Sequence, residues 1–289
     1  MIDHARRGFG IRLLALGSLA LTAPTQAQVD APLHFGVTPV VLDEQVGVLA
    51  RWADWIGNRV GRPVAMVQRA RYREILDLLL RERLDFAWIC GYPYVQHQDR
   101  LELLVVPRWH GEPLYRSEII VAADSDFSRL ADLQDGLFAW ADPDSNSGWL
   151  YPRYALLQAG VDPERFFRRT FFTWGHPRSV QAVSEGLADG AAVDAYVREA
   201  LVQHRPILVD RLRVVHRSPL FGFPPIVAGP ALAAPLRERL REALVAQHDD
   251  EVGRALLGAL NLDGFSVEGS ALYADIAAMM ARVGRGTET

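Results

Sequence analysis

Two hydroxyls, an amide and a glycine stand in succession at Ser145-Asn146-Ser147-Gly148, within the stretch Asp142 to Pro152. The apolar run Gly136 to Ala141 before them reads as a buried strand, and Trp149 to Gln158 after them as the opening of a helix. A loop of this composition ahead of a helix presents backbone N–H groups where the helix dipole favours an anion. Ser145 and Ser147 can each donate a hydrogen bond, and Gly148 lets a ligand come close to the main chain. The plainer reading is a capped helix start, since Ser and Asn are common N-caps.

Other candidates stand apart in the chain. Cys90 closes the apolar run Phe86 to Cys90, just before Gly91-Tyr92-Pro93-Tyr94. It is either a buried thiol acting as a small hydrophobe or a thiol that reaches a ligand. It is the single cysteine in the sequence, so no internal disulfide is possible. Tyr72 opens a helical pattern and Thr38 ends a strand pattern. Asp194 ends the apolar run Ala191 to Ala195, where a bare carboxylate is costly unless paired. Its alternative role is to cap the helix that follows. His176 precedes Pro177 at another helix start. The histidines show no metal-ligand spacing, and no cofactor or metal is expected.

The elements that must carry these residues alternate. Strand, helix, strand, helix, strand occupy residues 33–90, with apolar faces at helical spacing in 44–60 and 72–83. Tyr115 to Ala123 reads as one strand. A second alternating unit covers about 122–214. The Pro-rich run Ser218 to Ala228 returns the chain, and three helical stretches close it, packing back on the first unit. Parallel sheets with helices on both faces bind ligands beyond the carboxyl ends of their strands. Thr38, Cys90, Tyr92 and Tyr72 could line one such cleft. Chain crossings near 116–122 and 214–228 make a hinge.

Composition narrows the partners. The chain has 289 residues, 49% hydrophobic content and a formal net charge of −4, which gives a nucleic-acid partner no electrostatic support. All 31 basic residues are Arg, so a P-loop or Schiff-base lysine is excluded. Arg6, Arg7 and Arg12 flank and precede a short apolar core, Leu13 to Leu21, and Thr25-Gln26-Ala27 offers a cleavage site. Residues 1–27 therefore read as an export signal cleaved near Ala27. No Gly-x-Ser-x-Gly elbow or His-Glu-x-x-His motif is present, so no catalytic residue is assigned and the chain is not expected to be an enzyme.

Four separated motifs together resemble the periplasmic phosphate, phosphite and phosphonate-binding proteins of ABC importers. They are Leu84 to Tyr94, Asp142 to Gly148 with Pro152, Ala192 to Val197, and Pro224 to Ala228. The resemblance spans roughly 33–275. It implies an α/β, type 2 periplasmic-binding-protein-like fold of two lobes, each a mixed, mainly parallel sheet flanked by helices. The expected lobes are 28–118 with 219–289, and 119–218. It further implies that Ser145, Asn146, Ser147 and the backbone around Gly148 bind the oxygens of a small oxyanion. Tyr72 and Tyr92 would supply the facing lobe, His176 would donate, and Asp194 would accept from a protonated oxygen or an amine. The implied partner is an ABC permease, or a membrane histidine kinase if the protein senses its ligand. The implied location is the periplasm and the implied state a monomer. An enzyme built on the same fold is the remaining alternative.

Overall fold

The computed structural model describes residues 31–40 and 45–284, besides Met1. The expected export signal lies outside the described residues. Among the described residues thirteen strands form three sheets. In chain order they are β1 (Leu33–Val37), β2 (Val64–Gln68), β3 (Phe86–Trp88), β4 (Glu102–Arg108), β5 (Leu114–Tyr115), β6 (Ser117–Ala122), β7 (Leu137–Trp140), β8 (Arg169–Phe172), β9 (Gly190–Asp194), β10 (Leu212–Arg217), β11 (Phe221–Gly222), β12 (Ile226–Ala228) and β13 (Gly264–Ser266).

The first sheet runs β13-β4-β12-β3-β1-β2 and the second β10-β6-β9-β7-β8. Helices between consecutive strands make β1 parallel to β2 and β3, and β7 parallel to β8 and β9. Both sheets also take antiparallel strands where the chain arrives from elsewhere. Residues Ile226 to Ala228 insert between β3 and β4 after a long excursion, and β6 pairs with both β9 and β10. The antiparallel share therefore exceeds what the local alternation implies.

Tyr115 to Ala123, expected as one strand, is two. β5 pairs with β11 in a small ribbon, whereas β6 belongs to the second sheet. Arg116 is the break between them. The outgoing and returning crossings thus lie side by side. Ser117 N donates to Ser218 Oγ at 2.8 Å and Ser218 N to Ser117 O at 3.0 Å, which ties them together.

The first core is aromatic. Phe35 stacks on Phe86 with ring centroids 4.3 Å apart, and Trp52 meets Phe35 edge-on at 5.4 Å. Trp52 also donates to Gln247 Oε1 at 3.0 Å, which satisfies its buried indole N–H. The last helix, Ala274–Val283, packs on helix Gly91–Gln96 of the first unit and also on helix Tyr151–Gln158 of the second. It therefore braces both, beyond the expected return to the first. No helix among the described residues is long and apolar enough to cross a membrane.

Candidate ligand-binding cleft

The loop after β7 folds around its own serine. Ser145 Oγ accepts from Gly148 N at 2.9 Å, and Ser145 N donates to Asp142 O at 2.9 Å. The turn that follows is wide, with Leu150 N donating to Ser145 O across five residues at 3.0 Å. The regular helix begins only at Tyr151. Gly148 is needed here for packing. A Cβ on it would lie 2.4 Å from Ala141 Cβ and 3.0 Å from His176 Cε1. Its N–H donates to Ser145 Oγ, so that group is held within the loop.

The next two residues aim their side chains into the space between the sheets. Asn146 donates through Nδ2 to Tyr115 Oη at 3.0 Å, while its Oδ1 is buried without a partner. Ser147 O accepts from Ser117 Oγ at 2.6 Å, which fixes the backbone, while Ser147 Oγ is buried with no hydrogen bond completed, although it faces Tyr115. Tyr72, from the opposing side, also has a buried hydroxyl with no hydrogen bond completed, although it faces Ser145. Each such atom forgoes its hydration, at about 1–3 kcal/mol. Three in one place mark a buried polar chamber with hydrogen-bonding capacity left open, which makes it the candidate site. Tyr92 lies beside it with its ring stacked on Trp149, centroids 6.2 Å apart.

His176 is the first residue of helix His176–Ser184, with Pro177 second. Its ring is buried, and burial pushes its pKa down to about 3, so it is neutral. Asp194 N donates to its Nδ1 at 3.2 Å. A backbone N–H can only donate, so Nδ1 is the bare nitrogen and Nε2 carries the proton. Nε2 faces Ser145 Oγ at 3.4 Å. Both nitrogens are thus engaged with protein. In this arrangement the ring supports Ser145. With Gly148 N–H and His176 Nε2–H both directed at it, Ser145 Oγ has its lone pairs filled and its own proton free to donate outward.

Asp194 caps the helix Ala195–His204, its Oδ1 accepting from Tyr196 N at 2.8 Å. Burial pushes its carboxyl up to about 7. Near neutral pH a substantial fraction is therefore uncharged and does not repel an anion. Its charge also reaches Tyr72 and Tyr115, so it borders the chamber.

The cleft is closed. Tyr72 N donates to Asp142 Oδ2 at 3.2 Å, and Arg73 pairs with Asp144 at 3.0 Å. The Arg71 guanidinium lies 4.1 Å from the Trp174 ring centroid. Cys90 Sγ accepts from Asn146 N at 3.3 Å. These contacts come from three consecutive residues at one helix start and from one strand end. Sequence reading assigned no role to Asp142, Asp144, Arg73 or Tyr115. The Asp-Pro-Asp turn was the one available signal. Among the described residues no group of three His, Cys, Asp or Glu side chains could hold a metal ion.

Two α/β lobes joined by paired crossings and closed on a polar chamber have the fold of periplasmic binding proteins. A model of the family described as ABC transporter, phosphonate, periplasmic substrate-binding protein matches residues 35–270, and the chain belongs to that family. The phosphonates-binding periplasmic protein of Escherichia coli (strain K12) is 27% identical over 225 residues, 74% of this chain and 65% of that protein's length. Among solved structures, a binding protein component of an ABC phosphonate transporter from Pseudomonas aeruginosa superposes with a TM-score of 0.82 at 22% identity, covering 88% of this chain and 87% of that one. The PhnD1 protein of Prochlorococcus marinus, in complex with methylphosphonate, gives a TM-score of 0.78 at 19% identity, covering 87% and 97%.

Proposed function

We propose that this protein captures a small oxyanion of phosphorus, of the phosphate, phosphite or phosphonate type, in its interlobe cleft and delivers it to an ABC permease. The observation that carries this is the convergence of Tyr72 Oη, Ser147 Oγ and Asn146 Oδ1, buried without partners and drawn from both sides of the cleft. Two are hydroxyls that can donate, and Ser145 adds a third donor. Asn146 Oδ1 is an acceptor and suits a protonated ligand oxygen. Neutral donors in a dry site hold an anion without a paired cation. Tyr92 and Asp194 complete the wall.

The role is capture and release without bond chemistry. His176 is the base nearest Ser145, yet the nitrogen that faces the hydroxyl already carries a proton. The lobes are 28–118 with 219–289, and 119–218, hinged at the β5–β11 ribbon. Export follows from residues 1–27, and the protein works as a periplasmic monomer. Delivery to an importer is preferred to a sensing role because both the family and the Escherichia coli relative are described as substrate-binding or phosphonate-binding proteins.

A thermal-shift panel of phosphate, phosphite, methylphosphonate and sulfate tests this. A ligand at a hundred times its Kd adds about 2.7 kcal/mol to the folded state. At least one phosphorus oxyanion should raise Tm well above the sulfate response. A panel with no such member would end the proposal.

A further inference from the structure

The Cys90 thiol faces the chamber from the end of β3. Its sulfur accepts from Asn146 N at 3.3 Å, so it sits opposite the first N–H of the turn after Ser145, where an oxyanion would otherwise draw near. It lies within electrostatic reach of Tyr72, Tyr115 and Asp194, three groups that border the same space. Buried and unpartnered Tyr72 Oη and Ser147 Oγ mark that space as a ligand site independently of the thiol.

Resting on the function proposed above, we infer that Cys90 is a specificity-determining residue that fills the room beside the phosphorus head group and admits only a hydrogen, hydroxyl or methyl as its fourth substituent. The thiol cannot withdraw. A Cβ on Gly91 would come within 2.9 Å of Ile276 Cδ1 and 3.0 Å of Tyr273 Cδ1, so the backbone is already pressed against the last helix. Ile89 N is tied to Pro225 O at 3.0 Å and Tyr94 N to Cys90 O at 3.3 Å, which pins both flanks. In a close-packed site a longer substituent meets the sulfur and displaces side chains that have no slack. Burial pushes the thiol up to about 11, so it is neutral and places no charge against an anion.

The test is calorimetric titration of phosphite, methylphosphonate, ethylphosphonate and propylphosphonate into the wild type, Cys90→Ala and the size-conserving Cys90→Ser. Wild-type affinity should fall by about tenfold or more for each carbon added beyond methyl. Cys90→Ser should keep that decline and Cys90→Ala should flatten it. A wild type that binds propylphosphonate as tightly as methylphosphonate overturns the inference, as does an alanine variant with the unaltered decline. If no member binds any of the three proteins, the function itself fails and the inference with it. Because Cys90 is the single cysteine, its reaction with a thiol reagent gives a second readout. Methylphosphonate should slow that reaction, and a rate indifferent to ligand would place the thiol outside the site.

Discussion

Arg73, at the start of helix Tyr72–Leu80, and Asp144, in the loop after β7, form an ion pair of 3.0 Å that bridges the cleft. The Asp144 side chain is 6% exposed and Arg73 42%. Burial raises the Asp144 carboxyl while the guanidinium lowers it, so the charged form depends on closure. The pair adds to the closed state only, because opening separates its members. Arg73→Ala should therefore weaken ligand binding by about fivefold, close to 1 kcal/mol for a pair partly screened by water. Scattering from the unliganded variant should show a larger radius of gyration than the wild type. An unchanged radius with unchanged affinity would remove the pair from the closing mechanism.

Ser147→Ala and Tyr72→Phe should move stability and binding in opposite directions. Each deletes a hydroxyl that is buried with no hydrogen-bond partner in the closed cleft. Relief of that desolvation should leave the unliganded variants as stable as the wild type or more stable by about 1 kcal/mol. On the proposed function the same hydroxyls donate to the bound anion, so the rise in Tm with ligand should vanish in Ser147→Ala and shrink in Tyr72→Phe. Urea denaturation with and without methylphosphonate reads both effects. A variant that loses stability and keeps its ligand response would show that the hydroxyl serves the fold.

Much of this arrangement was legible from local pattern. The helices follow from apolar spacing, and the Ser145 turn from its hydroxyl, amide and glycine, because those signals act within a few residues. What was hidden depends on distant partners. Nothing near Ile226 says that it pairs with Trp88 and Val105, and nothing near Arg116 says that the chain changes sheets there. His176 illustrates the same limit within the site. Its position before Pro177 marks a helix start, but its partners Asp194 and Ser145 are 18 and 31 residues away. Type and spacing therefore placed the ring at the candidate site without showing that both its nitrogens were engaged with protein.

Asp194→Asn should change how stability depends on pH. The folded carboxyl titrates near 7, against an ordinary 3.8, because of burial. Between those values the folded state keeps a proton that the unfolded chain has released, so this group's contribution to stability falls as pH rises through that window and is flat above it. The asparagine variant lacks the effect. Its stability relative to the wild type should therefore grow from about pH 4 to about pH 7, by a few kcal/mol. Comparing the two proteins at each pH cancels the opposite trend of His176, whose depressed pKa costs stability as pH falls. Denaturation midpoints at several pH values measure the difference. A constant difference would mean that Asp194 titrates normally.

His176 should act on the ligand through Ser145. Its ring joins Asp194 N–H to the Ser145 hydroxyl, which leaves that hydroxyl only its own proton to offer. His176→Ala removes one acceptor and one donor at once. It should cost about 1–3 kcal/mol of stability from the orphaned Asp194 N–H and also weaken binding. His176→Gln carries an acceptor and a donor in one planar amide and should recover part of both losses. A double-mutant cycle with Ser145→Ala separates the two routes to the ligand. If the ring works through Ser145, the binding loss caused by His176→Ala should largely disappear once Ser145 is already alanine, because there is no hydroxyl left to orient. A loss of equal size in both backgrounds would mean that the ring turns on binding and touches the oxyanion itself. Calorimetry on the four proteins decides between them, and denaturation of the same four shows whether each variant is folded when measured.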